Sequence, residues 1–251
     1  MKNKQHYPAD FYVKRHERTV DAARKVISKA EHFLPKIGSV IDFGCGVGSW
    51  LSVFKEKGAL VAGLDGPWVP TEHLVIPRED FIQHDLGNSI DLERRFDLAI
   101  SLEVAEHLPE KSAACFVRNL VRHSDFILFS AAIPFQGGSG HINEQWPSYW
   151  GRLFLKEGYR TVDLIRMQIW HDETIPYFYR QNICLFVKNN SMSKLTVAQQ
   201  LLGILPDLPM DAVHPERFLR TEIQSLSPEG AWKFLRRAIR RSLKQKFTSG
   251  H

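Results

Sequence analysis

The sequence predicts a doubly wound α/β fold, a mostly parallel sheet with helices on both faces. Three observations carry that prediction. Short runs rich in Val, Ile, Leu and Phe alternate with segments of helical periodicity between residues 39 and 188, and such alternation sets parallel strands side by side under their crossover helices. The first run, SVIDF, leads into glycines at 44, 46 and 48, the composition of a tight strand-to-helix turn. Acidic residues then recur where ligands of open α/β sheets are held: Asp42 in the first run, Asp65 and Asp85 at the ends of the second and third.

Element by element, DFYVKRHERTVDAARKVISKAEHFL places Val20, Ala23, Ile27 and Ala30 at near-helical spacing and stops before Pro35 and Gly38. A strand, the glycine turn and the helix SWLSVFKEKG follow, with Gly58 as the expected cap. ALVAGLD (59–65), FIQHD (81–85) and FDLAISL (96–102) read as the second to fourth strands, PEKSAACFVRNLVRHS as a helix with Pro109 near its start, and DFILFSAAI as the fifth strand. EQWPSYWGRLFLKEGY reads as a helix, and TVDLIRMQIW and NICLFVK as two last β-rich runs, making seven strands. HDETIPYFYRQN, with His171, Tyr177 and Tyr179, reads equally as a pocket lining and as a plain loop.

At 251 residues and 43% hydrophobic the chain buries one sizeable core. The expected division is a domain over 1–190 and a helical basic extension over 191–251, joined by the polar NNSMS. No apolar stretch reaches the length of a membrane span, and the basic start lacks an apolar signal core, so a cytoplasmic location is expected. Cys45, Cys115 and Cys184 sit in separate apolar segments and read as reduced thiols. The formal charge of +5 is local: Gly230–Phe247 holds seven basic residues and no acidic one, so the rest of the chain carries −2. DNA is therefore not expected as a partner, and RNA is disfavoured.

In that basic segment Trp232, Leu235, Ile239, Leu243 and Phe247 fall on one helical stripe opposite the arginines and lysines. A basic amphipathic helix over 228–247 suits peripheral contact with an anionic membrane face, as well as docking on the domain or on a second subunit of a homodimer.

The glycine spacing excludes one ligand class. A dinucleotide fingerprint requires glycine at 49, where the chain has Ser49. An acidic residue followed by G-x-G-x-G, here Asp42, Gly44, Gly46 and Gly48, instead resembles the class I S-adenosylmethionine-dependent methyltransferases. The resemblance extends over about 150 residues, from 39 to 188, and includes FDLAISLEVAEHLP, which looks like the fourth motif of the small-molecule and terminal-ribose O-methyltransferases. It implies a Rossmann-like fold in which the glycine turn holds the methionine portion of S-adenosyl-L-methionine. Asp65 would bind the ribose, and Asp85 with Leu86 the adenine; Cys45, Gly66 and Ser101 complete the expected cofactor contacts.

The acceptor side rests on two polar groups. SLEVAEHLP sets Glu103, Glu106 and His107 past the fourth strand, on one face if the segment is helical. GHINEQW follows the neighbouring fifth strand, so His141 is expected to point at the same spot, with Trp146, Tyr149 and Trp150 as pocket walls. A hydroxyl acceptor has to lose its proton to a base or be acidified by a metal, and these four residues form a mixed oxygen and nitrogen shell for Mg, Mn or Zn. The E-x-x-E-H segment with a later histidine resembles the metal site of the RNA 3′-terminal 2′-O-methyltransferases, although no RNA-binding domain is recognisable beside it. The same string occurs in metal-free members of the family. The expected activity is O-methylation of a small polar acceptor such as a sugar of a surface glycan. The alternatives are methylation of a ribose at an RNA 3′ end and a non-catalytic cofactor-binding regulator.

Overall fold

The computed structural model describes residues 9–196, 206, 208–219, 228–230, 232, 235 and 236, with the backbone alone for 9–15. Two compact units meet after Asp211, Met1–Asp211 and Ala212–His251. In the first, seven strands form one sheet: β1 (Ser39–Phe43), β2 (Leu60–Asp65), β3 (Phe81–Gln83), β4 (Leu98–Leu102), β5 (Phe126–Ser130), β6 (Tyr159–Val162) and β7 (Cys184–Lys188), in the order β3-β2-β1-β4-β5-β7-β6. The first five run parallel, and β7 enters antiparallel between β5 and β6. Residues 40–43 of β1 and all of β4 and β5 are buried, the signature of strands covered on both faces.

Helices α1 (Ala9–Ala30), α2 (Ser49–Glu56), α3 (Ala113–His123), α4 (Pro147–Lys156), α5 (Ile165–Ile169) and α6 (Tyr177–Asn182) supply the covers. One core cluster joins Ala23, Val26 and Ile27 of α1 to Leu51 and Phe54 of α2 and Val40 of β1; the other joins Phe116 and Leu120 of α3 to Phe154 of α4 and Phe129 of β5. The parallel half of the sheet opens at its carboxyl ends, where the turn after β1 lies beside the segments that follow β4 and β5.

Two sequence expectations change. Of TVDLIRMQIW only Thr161 and Val162 lie in a strand, the end of β6, and the run then turns into α5, where Arg166 pairs with Asp163 one turn back and is buried with its guanidinium donating to the carbonyls of Gln181 and Met210. An apolar run without a clear period gave no sign of that ion pair. HDETIPYFYRQN is no plain loop, since its second half forms α6.

Within the first unit, Leu208 and Pro209 lie against Gly151 of α4. α4 has no side-chain cap of its own at Trp146; Asp211 supplies one from outside, accepting from the backbone N–H and the hydroxyl of Ser148 at 2.8 and 2.7 Å. Of the expected basic helix over 228–247, Pro228–Gly230, Trp232, Leu235 and Arg236 are described, and the remainder lies outside the described residues. Trp232 and Leu235 are exposed, and the Arg236 guanidinium sits over the Trp232 ring at 5.4 Å.

Candidate active site

The glycine turn is fixed by β2. The N–H groups of Gly44 and Cys45 donate to the Leu64 carbonyl at 2.7 and 3.1 Å. The Asp65 carboxylate then accepts from Gly46 at 2.8 Å and Gly66 at 2.7 Å, so the residue expected to serve the ribose also holds the turn in shape. The glycines divide into two kinds. A Cβ on Gly44 would stand 2.3 Å from the Val104 side chain, and one on Gly48 2.9 Å from Ile76, so these two are glycine for packing. Gly46, at φ +54°, would meet nothing within 4 Å. That bare stretch of main chain beside a hydrogen-bonded carboxylate fits S-adenosylmethionine, which lies against such a turn without displacing a side chain.

The other expected cofactor residues separate by burial. Asp42 is 3% exposed, and burial first, then the charge of Asp65, push its carboxyl well above the usual range. Cys45 turns its sulfur toward Gly63 and away from the open side, which leaves only its backbone to the cradle. Asp85 is exposed and closes a turn by accepting from Gly87 at 3.0 Å, while Leu86 is core. Gly66 lies under the Trp68 ring, which is half exposed. Ser101 is a correction: it is fully buried and donates to the Phe43 carbonyl at 2.8 Å, so its hydroxyl ties β4 to β1 inside the sheet instead of facing a ligand.

Past β4 and β5 the chain assembles the polar cluster. Ala105–His107 is a single 3-10 turn, not a helical face shared with Glu103. The N–H groups of Ile142 and Asn143 both donate to the Glu106 carbonyl, at 2.9 and 3.0 Å, and this pairing brings His141 onto Glu106. Nε2 of His141 stands 3.9 Å from Oε1 of Glu106, the His107 and His141 rings meet edge to face at 4.8 Å, and ligand atoms of all three residues lie within 4.8 Å of one another. Glu106 is fully buried, and neither of its carboxylate oxygens has a hydrogen bond of ordinary geometry. Burial first, and the charge of Glu103 second, push its carboxyl well up, against the nearby N–H groups of Glu106 and Ala132.

Glu103 departs from the expected ligand set. Its φ of 58° carries it out of line with Glu106, and its two oxygens accept from the amides of Asn182 at 3.0 Å and Gln136 at 2.9 Å. Gln181 ties the same bracket together by donating to Gln136 and Asn182. Burial still raises the Glu103 carboxyl, against the hydrogen bonds from Asn182, Ser130 and Gln136. The structure thus brings together three of the four expected ligands and gives the fourth a set of amide partners.

Three contributors escaped the sequence reading. Glu144 accepts from the N–H groups of Phe135 and Gly137 and lies 3.2 Å from Nδ1 of His141, which turns Nε2 toward Glu106. Burial opposes its ionisation, yet the bonds from His141 and those two N–H groups hold its carboxyl below the usual range. The polar string INEQ was the only signal of it. Gln136 and Asn182 had none, being 46 residues apart in sequence. Among the aromatic residues expected as walls, Trp150 is a correction: at 2% exposure it packs on Phe129 in the core, whereas Trp146 is partly exposed and Tyr149 half-buried beside it.

A family model described as a methyltransferase domain matches residues 14–126. A TehB-like S-adenosylmethionine-dependent methyltransferase from Corynebacterium glutamicum superposes with a TM-score of 0.51 at 16% identity, over 72% of this chain and 97% of that one. Magnesium protoporphyrin IX methyltransferase from Synechocystis, solved with bound S-adenosylmethionine, gives 0.49 at 21% identity over 74% and 86%. The methyltransferase domain of the bacterial protein CtHen1-C gives 0.48 at 18% identity over 68% and 97%. Among curated proteins none matches the sequence.

Proposed function

We propose that the chain is a class I S-adenosylmethionine-dependent methyltransferase, a reading supported by the methyltransferase-domain match over residues 14–126, and that it methylates a hydroxyl oxygen of a small polar acceptor, such as a sugar of a surface glycan. One observation carries this reading: the Glu106 carboxyl is buried without a hydrogen bond of ordinary geometry, 3.9 Å from Nε2 of His141 and beside His107. A buried acid without a partner costs free energy in the resting protein. At the mouth of a methyl-transfer cleft a carboxylate whose pKa is raised is the stronger base toward an acceptor hydroxyl.

The cofactor supplies an electrophilic methyl carbon, and the chain supplies position. Asp65 holds the glycine turn and presents a carboxylate to the ribose. Glu144 fixes the His141 ring so that Nε2 is the nitrogen offered to the acceptor side. Glu106, His107 and His141 are the residues that would hold a divalent cation, an oxygen and nitrogen set suited to Mg, Mn or Zn, and its charge there would lower the pKa of an acceptor hydroxyl. Glu103, saturated by Gln136 and Asn182, is read as a support of this cluster.

The test is a labelled-methyl transfer screen over sugars, nucleotide sugars, lipids and short RNAs, with and without chelator, on the full chain and on Glu106→Gln. Transfer to a sugar hydroxyl that Glu106→Gln abolishes is the expected outcome, and sensitivity to chelator assigns the cation. Product methylated on nitrogen or carbon, or hydroxyl transfer untouched by Glu106→Gln, removes this reading. Product found only on the short RNAs moves the acceptor to a ribose.

A further inference from the structure

Positive charge is concentrated in one stretch of the second unit. Between Gly230 and Phe247 stand seven basic residues and no acidic one, whereas the rest of the chain carries −2. Through the same stretch the apolar residues Trp232, Leu235, Ile239, Leu243 and Phe247 recur every three or four positions. From residue 237 on the stretch lies outside the described residues, and those positions enter by their sequence alone.

Where the structure describes the stretch, its apolar side chains are uncovered. Residues 228–230, Trp232, Leu235 and Arg236 are helical, and Trp232 and Leu235, three positions apart and so on one face, are 54% and 48% exposed. The Arg236 guanidinium lies over the Trp232 ring at 5.4 Å. An indole under a guanidinium joins a ring that favours the headgroup depth of a bilayer to a fork that pairs with phosphate.

Charge decides what covers that face. Seven cations without an intervening acid repel a second copy of the same stretch and draw it to an anionic surface. A nucleic acid would satisfy the cations, but it offers no apolar phase for Leu235 and for the stripe that continues at Ile239, Leu243 and Phe247. At this charge density the stretch cannot cross a bilayer, so its place is the interface.

We propose that residues 228–247 hold this protein on an anionic lipid surface, with Trp232 and Leu235 inserted at the headgroup boundary and the basic residues paired with lipid phosphates.

The experiment is co-sedimentation of the full chain with vesicles of equal parts phosphatidylglycerol and phosphatidylcholine and with vesicles of phosphatidylcholine alone, repeated with the double variants Trp232→Ala/Leu235→Ala and Arg240→Glu/Arg241→Glu. Binding to the anionic vesicles is expected to exceed binding to the neutral ones by at least about tenfold, to weaken as salt is raised, and to fall by at least about tenfold in each variant. Equal binding to the two kinds of vesicle, no binding to either, or anionic binding that Trp232→Ala/Leu235→Ala leaves unchanged overturns the proposal. So does a chain that stays off the vesicles and instead binds a short RNA or sediments as a dimer through the same residues, which assigns the face to nucleic acid or to a second copy. No cofactor or acceptor enters the measurement, so its outcome is independent of the O-methylation reading.

Discussion

Nε2 of His141 stands 3.9 Å from Oε1 of Glu106, although one follows β5 and the other follows β4. Their approach is set by main chain: the Glu106 carbonyl accepts from two successive N–H groups of the histidine loop. The side chains are therefore held in place without bonding each other at ordinary hydrogen-bond length, a geometry that leaves room for a third group between them.

Glu106→Gln and His141→Ala are each expected to lower turnover by at least about 100-fold while leaving the affinity for S-adenosylhomocysteine within about twofold. Single-turnover kinetics and calorimetry on the same preparations separate the two effects. Loss of cofactor affinity in both variants would assign the residues to structure.

The Glu106 carboxyl also links stability to pH. Its folded pKa is raised by burial first and by Glu103 second, whereas in the unfolded chain it titrates as an ordinary glutamate near about 4.3. The contribution of this group is favourable below that unfolded value and is lost as pH rises toward the folded one, because the unfolded state gives up its proton first. Glu106→Gln removes the loss. In chelator, the variant should melt above the parent chain near neutral pH, with the gap closing toward about pH 4; differential scanning calorimetry at the two pH values reads it, and an identical gap at both would mean that the carboxyl is not the cause.

Glu103→Gln tests the amide bracket. The substitution replaces an acceptor oxygen by an NH₂ group facing the NH₂ of Gln136 or Asn182, which breaks one hydrogen bond and opposes two donors. We expect a stability loss of about 1 to 3 kcal/mol, read from denaturant unfolding, and retained binding of Mn²⁺ or Zn²⁺ by Glu106, His107 and His141. Loss of cation binding with unchanged stability would make Glu103 a ligand after all.

Gly46→Ala separates fold from cofactor. The added methyl meets no atom within 4 Å, so the cost to stability is only the left-handed backbone, about 1 to 2 kcal/mol. The methyl does enter the space assigned to S-adenosylmethionine, and affinity should fall by at least about tenfold. Asp65→Ala removes the acceptor for two backbone N–H groups and should reduce both affinity and stability. Cofactor affinity unchanged by Gly46→Ala would place the nucleoside elsewhere.

The cofactor half of the site is readable in the sequence because its determinants are short-range. Asp42, the three glycines and Asp65 each act at or next to a strand end, where a run of apolar residues predicts both the strand and its terminus. The acceptor half is readable in composition but not in arrangement. Spacing alone groups Glu103 with Glu106 and His107, yet a positive φ at Glu103 and the distant amides of Gln136 and Asn182 divide them. Trp146 and Trp150 are equivalent by spacing, and burial against Phe129 is what assigns Trp150 to the core. Ser101 reads as a cleft residue until its hydroxyl is found on the Phe43 carbonyl of the adjacent strand.

By itself the sequence determined the alternation of strands and helices, the turn that approaches a ligand and the polar residues available beyond β4 and β5, since periodicity, glycine and charge act over a few residues. Only the tertiary structure decided which of those polar groups face one another. Partners such as Asn182 with Glu103, Asp211 with Ser148 and His16 with Ser49 are brought together by packing of elements far apart in the chain, and hydrogen bonding inside a core depends on that packing and not on sequence distance.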